Sequence, residues 1–144
     1  MTVQLILEAK GRDVATVDPT QLLGEVIETL HARRIGALVA LDADNRLLGI
    51  VSERDVVRLL AEQGSAALSR AVGEVMTRSL VTIAESATID EAMNLMTRGR
   101  FRHLPVVRDE RCVGIISIGD VVKRRIEDAE REAEDLKTYI HAGG

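Results

Sequence analysis

The chain reads G-I-V-S-E-R-D-V-V from Gly49 to Val57, and G-I-I-S-I-G-D-V-V from Gly114 to Val122. Each copy sets a glycine, two β-branched residues and a serine ahead of two variable positions, an aspartate and two valines. The offset is 65 residues (114 − 49). Upstream, a one-residue gap near Asn45 moves it to 66, and Thr16 then meets Thr82, Glu25 meets Glu91, Arg34 meets Arg100 and Leu38 meets Leu104. The chain is two diverged copies of one unit. Two copies are too few for a solenoid, which needs about three. They suit a closed pair about a pseudo-twofold axis.

Outward from the motif, both copies read alike. A short β-branched piece comes first, Val14 to Val17 and Val81 to Ile83. A helix follows, with Leu22, Leu23, Val26, Ile27 and Leu30 on one face in the first copy, and Ile89, Ala92, Met93 and Met96 in the second. Thr88 and Glu91 have capping-box spacing; the first copy lacks that pair, and its Gly24 weakens the helix. Two strands come next, Ala37 to Leu41 and Leu47 to Ser52, joined by the polar turn Asp42-Ala43-Asp44-Asn45. Their counterparts are Leu104 to Val107 and Cys112 to Ser117, with Pro105 predicted at a strand end or edge because it cannot donate a ladder hydrogen bond. A second helix closes each unit, Asp55 to Glu62 and Asp120 onward. The predicted class is α/β (α+β), with two β-α-β-β-α units. Residues 1–64 form the first unit with an N-terminal helix, 65–79 a linker and lead-in helix, and 80–144 the second unit with a long C-terminal helix.

Composition narrows the function. At 144 residues a substantial core is available, and it must be aliphatic, because Phe101 and Tyr139 are the only aromatics among Phe, Trp and Tyr. The formal net charge is −4, which disfavours nucleic acid, whose affinity comes largely from neutralised phosphates. Stacking platforms for single-stranded bases are missing too. Cys112 is the single cysteine, so no disulfide forms within one chain, and no Cys/His cluster has metal-site spacing. The N-terminus has no basic stretch ahead of an apolar one, and no apolar run is long enough to span a membrane. The expectation is a cytoplasmic protein without a membrane or nucleic-acid partner. No phosphate-loop or dinucleotide-fold glycine pattern occurs. Ser52 and Ser117 have no recognisable histidine base and are not in G-x-S-x-G, which points to a binding module and not an enzyme.

The Ser-x-x-Asp steps, Ser52 to Asp55 and Ser117 to Asp120, admit two readings. At a strand-to-helix junction they make capping boxes. They also make a nucleotide site: the helix N-terminus suits a phosphate, the serine adds a donor, and the aspartate accepts both hydroxyls of a ribose. Hydrogen bonds to a charged group contribute about 1.5–3 kcal/mol each. The glycine lets a ligand or a neighbouring backbone approach closely. The two readings are compatible.

The duplicated context resembles the CBS-domain pair, the Bateman module, whose ribose-phosphate motif G-h-h-S/T-x-x-D (h hydrophobic) stands here as GIVSERD and GIISIGD. The stretches KGRDVATVDP, MTRSLVTI and RFRHLPVV (Arg100 to Val107) resemble the family as well. The likeness covers nearly the whole chain and is nearest to stand-alone bacterial CBS-pair proteins. It implies two units packed sheet to sheet with two clefts between them. It pairs Ser117 and Asp120 with Thr16 in a first cleft, lined by backbone at Ile35, Gly36 and Ala37. It pairs Ser52 and Asp55 with Thr82 in a second, beside Phe101 and Arg102. Arg102 and His103 stand where the family contacts phosphate, which assigns AMP (or ADP or ATP) to the Asp120 cleft. The Asp55 cleft, with Arg54 beside its aspartate and Arg58 a turn later, is assigned a second nucleotide or part of NAD(H). No metal is implied.

Val122, Ile126, Ala129, Ala133, Leu136 and Ile140 step by four and three along the C-terminal helix, a seam of coiled-coil type too short to establish a coiled coil. It is read either as docked on its own domain or, as the family resemblance favours, as part of a homodimer interface. The functional expectation is an adenine-nucleotide sensor acting in trans on an unknown protein partner. The alternative is a structural dimerisation module whose Ser-x-x-Asp steps only cap helices.

Overall fold

The computed structural model describes residues 1–143. Its elements run α1 (Val3–Lys10), α2 (Leu23–Arg33), β1 (Ala37–Leu41), β2 (Leu47–Ser52), α3 (Glu53–Gln63), a 3-10 segment (Gly64–Ser69), α4 (Val72–Val75), β3 (Ile83–Ala84), α5 (Ile89–Gly99), β4 (His103–Arg108), β5 (Arg111–Ser117) and α6 (Ile118–Gly143). β1 and β2 form an antiparallel pair, and β3, β4 and β5 a three-stranded sheet with β3 parallel to β4. The architecture is mixed α/β with the repeat plainly visible. No described helix is long and apolar enough to cross a membrane.

Residues 14–17 fall short of a strand. Val17 N–H donates to the Val39 carbonyl at 2.9 Å and Val39 N–H to that of Ala15 at 3.1 Å, a parallel bridge at the place β3 takes in the second copy. Pro105 sits within β4, opposite Ile115. β3 reaches only Val106 and Val107, so β4 is locally an edge at the proline, where a missing N–H costs least. The capping box of α5 is present: Thr88 Oγ1 accepts Glu91 N–H at 3.1 Å, and the Glu91 carboxylate accepts Thr88 N–H at 3.2 Å. In α2, Gly24 lies against the Leu68 carbonyl, which an added Cβ would meet at 3.4 Å.

Two aliphatic cores hold the units, and the flanking segments change sides. Helix α1, read from sequence with the first unit, puts Val3, Ile6 and Leu7 into the core of the second, beside Ile83, Met96, Leu104 and Ile116. Segment 65–79 joins the first core through Ala67, Val72 and Met76, beside Leu23, Leu38 and Val51. The motif glycines explain the exchange. A Cβ at Gly114 would stand 2.6 Å from Leu7 Cδ2, and one at Gly49 would stand 2.6 Å from Met76 Sδ. Each glycine is the hole that admits one side chain from a lead-in segment. The sequence reading gave that close approach to a ligand or a backbone; at Gly114 a core side chain fills it, and at Gly49 Met76 shares it with the Thr77 carbonyl, 3.0 Å from an added Cβ.

α1 ends at Gly11, whose φ of +101° is a conformation L side chains rarely adopt. The chain then leaves α1 with Arg12 beside the buried Glu85, which Arg108 also meets at 3.2 Å. Between the units, Cys112 N–H donates to the Asn45 carbonyl at 2.9 Å. Burial raises the pKa of the Cys112 thiol. Beyond Asp128, the described side chains of α6 are exposed.

Candidate functional site

Both Ser-x-x-Asp steps close as capping boxes at the starts of α3 and α6. Asp55 Oδ2 accepts Ser52 N–H at 2.9 Å and the Ser52 hydroxyl at 3.1 Å, while Asp55 N–H donates to Ser52 Oγ at 3.4 Å. Asp120 Oδ2 accepts Ser117 N–H at 2.8 Å, and Asp120 N–H donates to Ser117 Oγ at 3.1 Å. Strand ends that lead straight into helices dictate this, since the first turn of a helix leaves N–H groups unpaired. The two aspartates differ in their cations. Asp55 Oδ1 meets Arg58 of its own helix at 3.2 Å. Asp120 Oδ2 meets Lys10, delivered from α1, at 2.7 Å.

A cavity of about 460 Å³ opens at the Asp55 step, within the usual range for small-molecule sites. Ser52, Glu53, Arg54, Asp55 and Arg58 line it from the first unit; Phe101, Arg102, His103 and Pro105 line it from the second, with Arg100 at the end of α5. Thr77, Ser79, Leu80 and Val81 complete the wall from the connecting segment. Arg54 ties the units together by donating to the Arg100 carbonyl at 3.0 Å. Arg100 takes φ of +57°, as its counterpart Arg34 takes +54°. Gly99 beside it carries the Phe101 ring, which a Cβ there would overlap at 2.0 Å from Cε2.

The grouping of the candidate residues departs from the sequence reading. Gly36 and His103, assigned to the Asp120 cleft, line the Asp55 cavity with Ser52, Arg54, Asp55 and Phe101, and so does Arg102, which the resemblance set beside both clefts. The reason is the contact between Gly36 and the His103 ring, which a Cβ at position 36 would approach to 2.8 Å. That close approach brings the start of β4 across to α3. Ile35 faces a separate groove between α2 and α3, and Ala37 is buried in β1 opposite Ser52. Thr16 is exposed in the bridge to Val39. Thr82 is half-buried just before β3 and is not among the residues lining the cavity, whereas Val81 is. Glu53 stands at a variable position of its motif, Arg100 is the repeat partner of Arg34, and residues 77–81 fall in a stretch that carried the resemblance, but none of them was singled out as lining a cleft.

Burial lowers the pKa of the His103 imidazole below its usual value, opposed by Glu53 across the cavity and, more weakly, by Asp120. Burial pushes the Asp120 carboxyl up, but the bonds from Lys10 and Ser117 together outweigh it and hold the pKa below the usual value. The lining carries four guanidinium groups, Arg54, Arg58, Arg100 and Arg102, against the two carboxylates Glu53 and Asp55. With His103 neutral the balance is +2 (4 − 2). An anion is the chemically matched guest. Among the described residues no group of three His, Cys, Asp or Glu side chains is placed to hold a metal.

A family model described as the CBS domain matches residues 9–62 and again 72–127. The chain belongs to the CBS-domain family. A CBS pair is a regulatory module and not an enzyme. The fold agrees with a solved CBS-domain containing protein of Agrobacterium tumefaciens at 51% identity and a TM-score of 0.83, over 86% of this chain and 92% of that one. Two further CBS structures were solved with adenosine ligands. CBSX2 in complex with AMP shares 27% identity at a TM-score of 0.73, over 89% of this chain and 98% of that one. The CBS domain pair of protein MJ0100, in complex with 5′-methylthioadenosine and S-adenosyl-L-methionine, shares 25% at 0.78, over the same shares.

Proposed function

We propose that this CBS pair is a nucleotide sensor that binds AMP in the Asp55 cavity and reports occupancy to a protein partner. The single observation that carries the reading is the coincidence, in one cavity of about 460 Å³, of a Ser52-oriented aspartate with an excess of guanidinium groups. Asp55 accepts the ribose hydroxyls. The helix start at Ser52 and the arginines hold the phosphate, whose charge of about −1.5 to −2 matches the excess of the lining. Leu80, Val81, Pro105 and Ile50 give the adenine an aliphatic bed. The adenosine ligands of CBSX2 and MJ0100 support the class of ligand. The cationic wall favours a nucleotide anion over the sulfonium of S-adenosyl-L-methionine, and it leaves room for ADP, ATP or one half of NAD(H) as competitors of AMP.

Binding changes the output only through unequal affinity for two arrangements of the units. The bridge from Arg54 to the Arg100 carbonyl crosses that junction, so a phosphate that recruits Arg54 alters it. The second copy of the chain is the nearest partner to propose: Leu136, Tyr139 and Ile140 stand exposed on one side of α6. The capping geometry at both steps favours a second reading, a dimerisation scaffold without a physiological nucleotide.

Calorimetric titration of nucleotide-stripped protein with AMP, ADP, ATP, NAD⁺, NADH and S-adenosyl-L-methionine separates the two readings. Micromolar AMP binding, weakened at least tenfold in Asp55→Ala and exceeding that of S-adenosyl-L-methionine, is the expected result. No heat from any of the six ligands leaves the scaffold.

A further inference from the structure

Each repeat must satisfy the outer edge of its last strand, and the two do so by different means. In the first, Ile50 and Thr77 exchange both backbone hydrogen bonds at 2.9 Å each. In the second, the matching carbonyl of Ile115 is met by the Lys10 ammonium at 3.1 Å. The same ammonium lies on Asp120 Oδ2. One edge is closed by backbone, which is fixed. The other is closed by a side chain, which can swing away.

The lysine is delivered from a firm base. Val3 and Gln4 N–H donate to the carbonyls of Ala87 and Glu85 at 2.8 and 3.0 Å, and Leu7 fills the hole at Gly114. Lys10 is then the last residue of α1 before the turn at Gly11. Its pair with Asp120 is within reach of a competing solute, with side chains 36% and 25% exposed, and such pairs are weak. On α6, Lys123 stands at the repeat position of Arg58 and forms no ion pair with Asp120 among the described residues. Lys10 is therefore the cation that serves this carboxylate, and it arrives from 110 residues away in sequence.

We propose that Lys10 is the residue that makes the two clefts unequal: it occupies the Asp120 carboxylate as an internal competitor for a ribose diol, so the chain takes one adenine nucleotide and admits a second only when Lys10 is displaced. This rests on the ribose role of the Ser-x-x-Asp steps proposed above. The repeat writes two ribose acceptors; α1 keeps one of them closed. Ligand entry at Asp120 then moves the Lys10 side chain off both Asp120 and the edge of β5, which couples the second site to helix α1.

Calorimetric stoichiometry tests this, using AMP as the probe on the full chain. Wild type is expected to bind one AMP per chain, Lys10→Met two, and Lys10→Met/Asp120→Ala one again. Lys10→Gln is the second variant, with circular dichroism and thermal unfolding confirming that both fold. The new site in Lys10→Met should be at least tenfold tighter than any residual site in wild type. Two sites of similar affinity in wild type, or one site in both wild type and the Lys10 variants, overturns the role of Lys10 and leaves the nucleotide reading standing. No binding in wild type or in any variant removes the nucleotide reading and this role with it.

Discussion

The pairing of Gly114 with Leu7 is open to a quantitative test, because both partners can be changed and the sum compared with the parts. Gly114 is buried in β5, and Leu7 is fully buried against it. A methyl at position 114 would stand 2.6 and 2.9 Å from the two Leu7 methyl carbons. Overpacking of this kind costs about 1–3 kcal/mol, so about 2 kcal/mol is expected for Gly114→Ala. Leu7→Ala removes a buried leucine and leaves a cavity, which costs about 2–5 kcal/mol. Were the sites independent, the double variant would lose about 5 kcal/mol, taking about 3 for the leucine. The structure predicts less. With Leu7 cut back, the new methyl enters space that the leucine vacated, so the double variant should lose about 3 kcal/mol or slightly under, a coupling of about 2 kcal/mol. Urea unfolding of the four proteins, read from midpoints at a common slope, measures the cycle. Additivity to within about 0.5 kcal/mol would refute the packing role of the motif glycine and return Gly114 to the ligand.

Three further outcomes follow from the same contacts. Gly99→Ala should push the Phe101 ring into the cavity, weakening AMP about tenfold in calorimetry with little change in the unfolding midpoint; unaltered affinity would take Phe101 out of the site. His103 has its folded pKa below the ordinary 6.5, so the folded state binds its proton less readily than the unfolded chain. Its stability contribution is whole above that value and is lost as pH falls through it toward the folded value. The unfolding free energy should therefore decline below pH 6.5 and His103→Asn should flatten the decline, separately from Asp120, whose contribution is lost only below its usual 3.8. In α6, Asp128 is 6% exposed with Arg124 at 3.3 Å and Arg131 at 3.9 Å. Arg124→Ala should cost about 3 kcal/mol in thermal or urea unfolding by leaving a buried carboxylate poorly paired, and a change under about 0.5 kcal/mol would contradict the pairing.

What the sequence determined by itself is whatever depends on neighbours a few residues apart. The repeat, the strand pair around Asp42 to Asn45, the start of α5 at Thr88 and the capping geometry at Ser52 and Ser117 are local, because turns and helix ends satisfy their own backbone groups. Which residues share a cavity was not local. His103 carries no local mark of the helix it faces, and Gly36 meets it only once the two units close on each other. The destinations of α1 and of segment 65–79 were equally hidden. Valine, leucine and methionine are interchangeable to a non-directional hydrophobic effect, so nothing in Val3, Ile6 and Leu7 says that their core is the second one. Shape decides it: Gly114 leaves a hole that Leu7 fills and Gly49 one that Met76 fills. Lys10 follows from that placement. Its reach to Ile115 and Asp120 spans 105 and 110 residues, and only the docking of α1 brings it there.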